Sequence, residues 1–180
     1  MCAVDTADSA PDRAPASDPM TLASAVQAEL FRRSLMLATA ESLTGGRLGD
    51  VLSAAPGASD TYLGGVVSYA TEVKLSVLGV SADTVESQGV VSRECAAEMA
   101  DGVRRLVGAD FGVSTTGVAG PSTQEGKPVG LVFVAVAGPG GVRTRRCDFD
   151  GERSEIREQT VKAALDLLLE AVRAEPSPAE

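Results

Sequence analysis

Thr39-Ala40-Glu41-Ser42-Leu43-Thr44-Gly45-Gly46 is the stretch on which the fold turns, because the pattern changes across it from strand to helix. Before it, Leu35-Met36-Leu37-Ala38-Thr39 reads as a short buried strand. After it, Leu48, Val51 and Leu52 share one face of a helix from about Gly45 to Ala54. Ser42 therefore stands where a strand turns into a helix. The chain has no histidine, so no imidazole can activate this hydroxyl. If Ser42 is a nucleophile, its base is a lysine, a carboxylate or a tyrosine.

Outward from this segment, strands and helices alternate. Asp18-Pro19 offers an N-cap and a first-turn proline, and Leu22, Val26 and Leu30 recur at four-residue spacing as in an amphipathic helix. A Pro56-Gly57 turn leads to a second strand, Tyr62 to Ala70. A short helix over Thr71–Leu78 stops at Gly79, and Ser92 opens a longer one striped by Cys95, Met99, Val103 and Leu106. Phe111 to Thr115 is a third strand. Val129 to Ala137 and Val142 to Phe149, joined by Gly138-Pro139-Gly140-Gly141, form a hairpin, and a closing helix runs from about Glu152 to Ala174. Such an order predicts an α/β fold, a three-layer α/β/α sandwich on a mixed sheet. Residues 1–18 are expected to be a disordered acidic leader, 19–174 a single domain, and 175–180 a flexible tail marked by Pro176 and Pro178.

Composition narrows the function. The net charge is −9, without a basic block, which disfavours nucleic-acid binding. The leader accounts for −3 and the tail for −2, so the body carries only −4 and can still hold a local positive pocket. Aromatics are 3%, with only Tyr62 and Tyr69 besides the phenylalanines, so no platform for stacking bases exists. Cys2, Cys95 and Cys147 are too scattered for a disulfide framework or a structural zinc, which fits a reducing cytoplasm. Without histidine or a cysteine cluster, no metal and no cofactor is expected. The longest apolar stretch, Val129 to Ala137, is too short for a bilayer, so no membrane partner is expected. Gly120 to Lys127 superficially follows a phosphate-binding loop, but five residues separate its glycines and Pro128 follows the lysine.

In sheets of this kind ligands sit at the carboxyl ends of strands. The Ser42 loop, the Tyr69–Lys74 segment and the Thr116–Pro121 loop each follow a strand, so all three are positioned to line one cleft. Thr44, Gly45 and Gly46 offer amides at a helix start for an oxyanion or a phosphate, although an ordinary N-cap uses the same residues. Lys74 can serve as the base if burial or a nearby cation keeps it neutral; otherwise it is a solvated lysine. Tyr69 can relay the proton or orient Lys74, or else be a core ring with a wet hydroxyl.

Six ordered motifs then resemble one family. They are Thr39–Gly46, Gly65–Lys74, Leu78-Gly79-Val80, Gly89–Ser92, Thr116-Gly117-Val118-Ala119-Gly120-Pro121 and Lys127-Pro128-Val129-Gly130. Over about residues 20–172 the chain resembles the C-terminal domain of the competence/damage-inducible protein CinA. The resemblance implies a nicotinamide-nucleotide amidase, which deamidates nicotinamide mononucleotide (NMN) to nicotinate mononucleotide and ammonia in pyridine nucleotide salvage. It implies Ser42 as nucleophile, Lys74 as base and Tyr69 as supporting group. It also implies a five-stranded, mostly parallel mixed sheet with one antiparallel member, and a homodimer. Gly45 and Gly46, or Thr116, Gly117, Ala119 and Gly120, would serve the oxyanion and the phosphate. Arg153 in Gly151-Glu152-Arg153 resembles a family Gly-Asp-Arg and would meet the phosphate. The chain departs from the family pattern at Leu43, where Cys is usual, at Thr71, where Asn is usual, and in the shorter segment Ser122–Gly126. The alternative is a catalytically altered domain that binds a nucleotide or a protein partner in competence or the DNA-damage response.

Overall fold

The computed structural model describes residues 18–175. The expected leader and tail, except Asp18 and Glu175, lie outside the described residues, as does Cys2. Helix α1 (Pro19–Arg33) starts as the sequence predicts: Asp18 is extended and its carboxylate accepts hydrogen bonds from the amides of Met20 and Thr21. Strand β1 (Leu37–Glu41) follows, then α2 (Arg47–Ala54), a 3-10 turn (Ala58–Asp60) and β2 (Tyr62–Val67). Helices α3 (Thr71–Ser76), α4 (Ala82–Gln88) and α5 (Arg93–Val107) come before β3 (Phe111–Gly117), and the hairpin β4 (Leu131–Gly138) and β5 (Gly141–Asp148) leads to α6 (Arg153–Ala174).

The five strands lie in the order β2-β1-β3-β4-β5. β1 pairs parallel with β2 and with β3, and β4 runs antiparallel to both of its neighbours. Four strands thus point one way and β4 the other, as the resemblance implies. Helices α1, α2 and α6 cover one face, where Leu30, Leu48, Ile156, Leu165 and Leu168 pack on Leu37, Phe111 and Val134. On the other face α5 brings Cys95, Met99 and Val103 against Ala38 and Ala40. β4 is buried on both faces, with Val132, Val134 and Val136 turned to the first core and Leu131 to the second. The small side chains of the second core let α5 lie close. Gly112 of β3 and Gly102 of α5 have no room for a Cβ, which would collide with the carbonyls of Ala100 and Leu78 respectively.

Three differences from the expected elements bear on the site, the first being that β2 stops at Val67 rather than Ala70, which leaves Ser68 and Tyr69 beyond the strand. β1 runs two residues later than Leu35–Thr39 and ends at Glu41, with all five residues buried. An acidic residue reads as a strand terminator, yet this one lies inside because its charge is met by amides. α2 begins at Arg47 rather than at Gly45, because Gly45 and Gly46 take φ of 61° and 95°. α4 was not expected; it buries no residue and so has no apolar stripe to betray it.

Candidate active site

Glu41 builds the turn that carries Ser42. Its carboxylate is 2% exposed and accepts from the amides of Gly46 at 3.0 Å, Leu48 at 3.0 Å and Gly49 at 2.8 Å. Those amides are the orphan donors of the α2 N-terminus, whose partial positive charge favours an anion. Gly49 provides the space, since a Cβ there would stand 2.8 Å from the Tyr62 hydroxyl and 3.3 Å from the Glu41 carboxylate. The turn is thus pinned on both sides of Ser42, whose own amide donates to the Thr115 carbonyl at 3.0 Å. The Ser42 side chain is half-buried.

The second component arrives from β2. Beyond Val67, buried Ser68 donates its amide to the Glu41 carbonyl at 2.8 Å, which ties the two strand ends together. α3 starts at Thr71 and carries Lys74 in its last turn, 1% exposed. Lys74 Nζ donates to Ser42 Oγ at 3.1 Å and to the Ser68 carbonyl at 2.5 Å. Burial holds the amine below the ordinary lysine pKa of 10.5, against weaker upward pulls from Cys95 and Glu125. Among the described residues no carboxylate forms a salt bridge with Lys74. A buried amine without a counter-ion, in contact with a hydroxyl, can accept that hydroxyl's proton.

Above the pair lies a cleft of about 160 Å³, open beside Ser42, Leu43, Tyr69, Gly117 to Gly120 and Arg153. Arg153, in the first turn of α6, donates to the Tyr69 hydroxyl at 2.9 Å and to the Gly120 carbonyl. No carboxylate pairs with it among the described residues. Gly120 precedes a cis peptide to Pro121 and has φ of 83°, where a Cβ would stand 2.8 Å from Val129. Ser42, Lys74, Tyr69, Gly117, Ala119, Gly120 and Arg153 are thereby brought together as the sequence suggests.

Four expected contributors are not. The Thr44 hydroxyl is fully buried and shares a 2.8 Å hydrogen bond with Thr115, while its carbonyl accepts from Arg157 at 2.6 Å. Thr116 is 1% exposed and donates to the Val90 carbonyl at 2.6 Å. The amides of Gly45 and Gly46 are spent on the Ser42 carbonyl, at 3.1 Å, and on Glu41. These glycines supply the sharp turn and leave no amide for an oxyanion. Tyr69 faces the cleft 64% exposed, but its hydroxyl meets Arg153 and has no bond to Lys74. The group that orients Lys74 is the Ser68 carbonyl, a backbone atom with no signature in residue types. The sequence reading also missed Ser122 and Gln124, which line the same cleft.

Comparison with known proteins agrees with this architecture. The CinA C-terminal domain profile matches residues 19–172. A CinA-like protein of Frankia casuarinae is 52% identical over 139 residues, covering 77% of this chain and 32% of the relative. A putative competence-damage inducible protein of Desulforamulus reducens is 49% identical over 152 residues, 84% of this chain and 37% of the relative. The chain thus spans about a third of the length of these curated relatives. Among crystal structures, a CinA superfamily protein from Klebsiella pneumoniae superposes with a TM-score of 0.85 at 35% identity, covering 88% of this chain and 100% of that one. One from Escherichia coli gives 0.85 at 34%, covering 89% and 94%. On the profile match and these identities, the chain belongs to the CinA C-terminal domain family.

Proposed function

We propose that the chain is an amidohydrolase that converts NMN to nicotinate mononucleotide and ammonia through a serine activated by a lysine. The 3.1 Å contact between buried Lys74 Nζ and Ser42 Oγ carries the hydrolytic part of this reading. The pyridine nucleotide as substrate comes from the family resemblance.

In this mechanism neutral Lys74 takes the Ser42 proton as Oγ attacks the carboxamide carbon. The ammonium so formed returns the proton to the leaving nitrogen, and ammonia departs from the acyl-enzyme. Lys74 then takes a proton from a water that attacks the ester and gives it to the departing Ser42 Oγ, and the acid product loses its remaining proton to solvent and leaves as the carboxylate. For the oxyanion, the amide of Leu43, which borders the cleft, donates to no protein acceptor among the described residues. Arg153 presents a fork of donors suited to the phosphate, with Tyr69 beside it.

Ammonia release from NMN by the purified protein, in the presence of a chelator, is the test. Ser42→Ala is expected to lower turnover by about three orders of magnitude or more. Undiminished ammonia release from that variant would remove Ser42 as nucleophile.

A further inference from the structure

One wall of the cleft is a miniature hairpin fastened from outside. Gln124 and Lys127 form an isolated antiparallel bridge, Lys127 N donating to the Gln124 carbonyl at 2.8 Å and Gln124 N to the Lys127 carbonyl at 3.3 Å. Between them Glu125 and Gly126 have φ of 53° and 69°, the two positive angles that a type I′ turn requires. Glycine adopts such angles freely, but glutamate does so only when held. Glu125 is held at the entry to α5, where its carboxylate accepts from the amides of Val90 at 3.1 Å and Val91 at 3.3 Å. Lys127 Nζ closes the brace, pairing with Glu125 at 3.3 Å and donating to the carbonyls of Gln88 and Val91, both at 2.7 Å. Gly89 leaves the space, because a Cβ there would run into the Glu125 carboxylate.

The charged residues of this hairpin are therefore committed to the brace, while Ser122 and Gln124 line the cleft. Among the described residues neither the Ser122 hydroxyl nor the Gln124 carboxamide hydrogen-bonds to a protein group. These are neutral polar groups on a fixed wall, beside a nucleophile and near a single unpaired arginine. Resting on the nucleotide-amidase reading, we propose that Gln124 is a specificity-determining residue that hydrogen-bonds the ribose hydroxyls of the substrate. Ser42 and Lys74 account for the carboxamide, and Arg153 is the cation for the phosphate. The sugar lies between those two groups in the substrate, and its vicinal diol both donates and accepts. A primary amide also presents a donor and an acceptor side by side and matches the diol without a charge to desolvate. The Ser122 hydroxyl is placed to assist.

The test compares NMN with its 2′,3′-dideoxyribose analogue by titration calorimetry, on the Ser42→Ala protein with and without Gln124→Ala. Binding is thus measured without turnover, and because Gln124 is exposed its replacement leaves the fold intact. The expected result is that Gln124→Ala weakens NMN binding about tenfold and leaves the analogue's affinity unchanged. Unchanged NMN affinity, or equal weakening of both ligands, would overturn the assignment. A wild-type protein that binds NMN without releasing ammonia sinks the hydrolytic reading and leaves this comparison valid. Failure of the protein to bind NMN at all defeats both.

Discussion

Lys74 joins burial to a hydrogen bond with a hydroxyl, and in the proposed mechanism its protonation bears on both activity and stability. Its folded pKa lies below 10.5, so the unfolded chain holds the proton more firmly than the folded one. Stability therefore rises with pH from the folded pKa up to the unfolded value, and activity rises as the amine deprotonates through the folded pKa. Lys74→Met, similar in length and uncharged, is expected to abolish turnover and raise the melting temperature at pH 7. That gain should shrink as pH increases toward the ordinary lysine range. Melting curves across pH check it, and a methionine variant less stable than wild type at pH 7 would contradict the account. At this scale the sequence was informative about Ser42 and Lys74, because a serine at a strand-to-helix turn and a lysine shortly after the next strand are visible as residue types. Ser68 was not legible, since it acts through a carbonyl that every residue owns. Nor was the fate of Tyr69, whose hydroxyl is claimed by Arg153 from the far end of the chain.

Among the elements, α2 depends most on one side chain. Glu41 satisfies three of its first amides from inside the core, and the same residue ends the strand that delivers Ser42. Glu41→Gln keeps the shape but puts an amide NH₂ where an acceptor is needed and removes the charge that favours the helix terminus. The expected cost is about 1–3 kcal/mol of stability, with a fall in turnover as the Ser42 turn loosens. Urea denaturation and NMN hydrolysis read the two effects, and wild-type values in both would refute this role. β1 extends two residues beyond the Leu35–Thr39 expected because Glu41 is satisfied inside by amides of the next helix, a condition that no local pattern displays. The α1 cap, the closing hairpin and the α5 stripe from Cys95 to Val103 needed no tertiary knowledge, because Asp18, the Pro139-Gly140 turn and the apolar repeat are local signals, whereas Leu106, expected in the same stripe, is 51% exposed at the end of the helix.

At the scale of the whole molecule, the three layers follow from alternating strands and helices, but the distance between layers does not. A glycine inside a helix reads as a weakness, whereas Gly102 is the place where α5 meets the carbonyl of Leu78, just beyond α3. Gly102→Ala would improve helix propensity by about 1 kcal/mol, yet the new methyl group has to push the backbone carrying Lys74 away. A net loss of about 1–3 kcal/mol is expected, with reduced turnover because the Lys74–Ser42 contact lengthens. Denaturation midpoints decide this, and a stabilised variant would show that the layers can separate freely. Residues so remote in sequence meet only after folding, which is why such close approaches escaped the sequence reading.

The register of the central ladder has a wider meaning. Glu41 lies opposite Val67 across adjacent parallel strands, and Ser42 and Ser68 each depart one residue later. The gap spanned by the lysine is therefore inherited from the interstrand spacing, about 4.8 Å, and owes nothing to loop length. On the proposed reading the reacting pair is set by the sheet ladder, and the sugar contact by the separately braced Gln124–Lys127 hairpin. If that division holds, the choice of substrate and the means of cleaving it are separate inheritances.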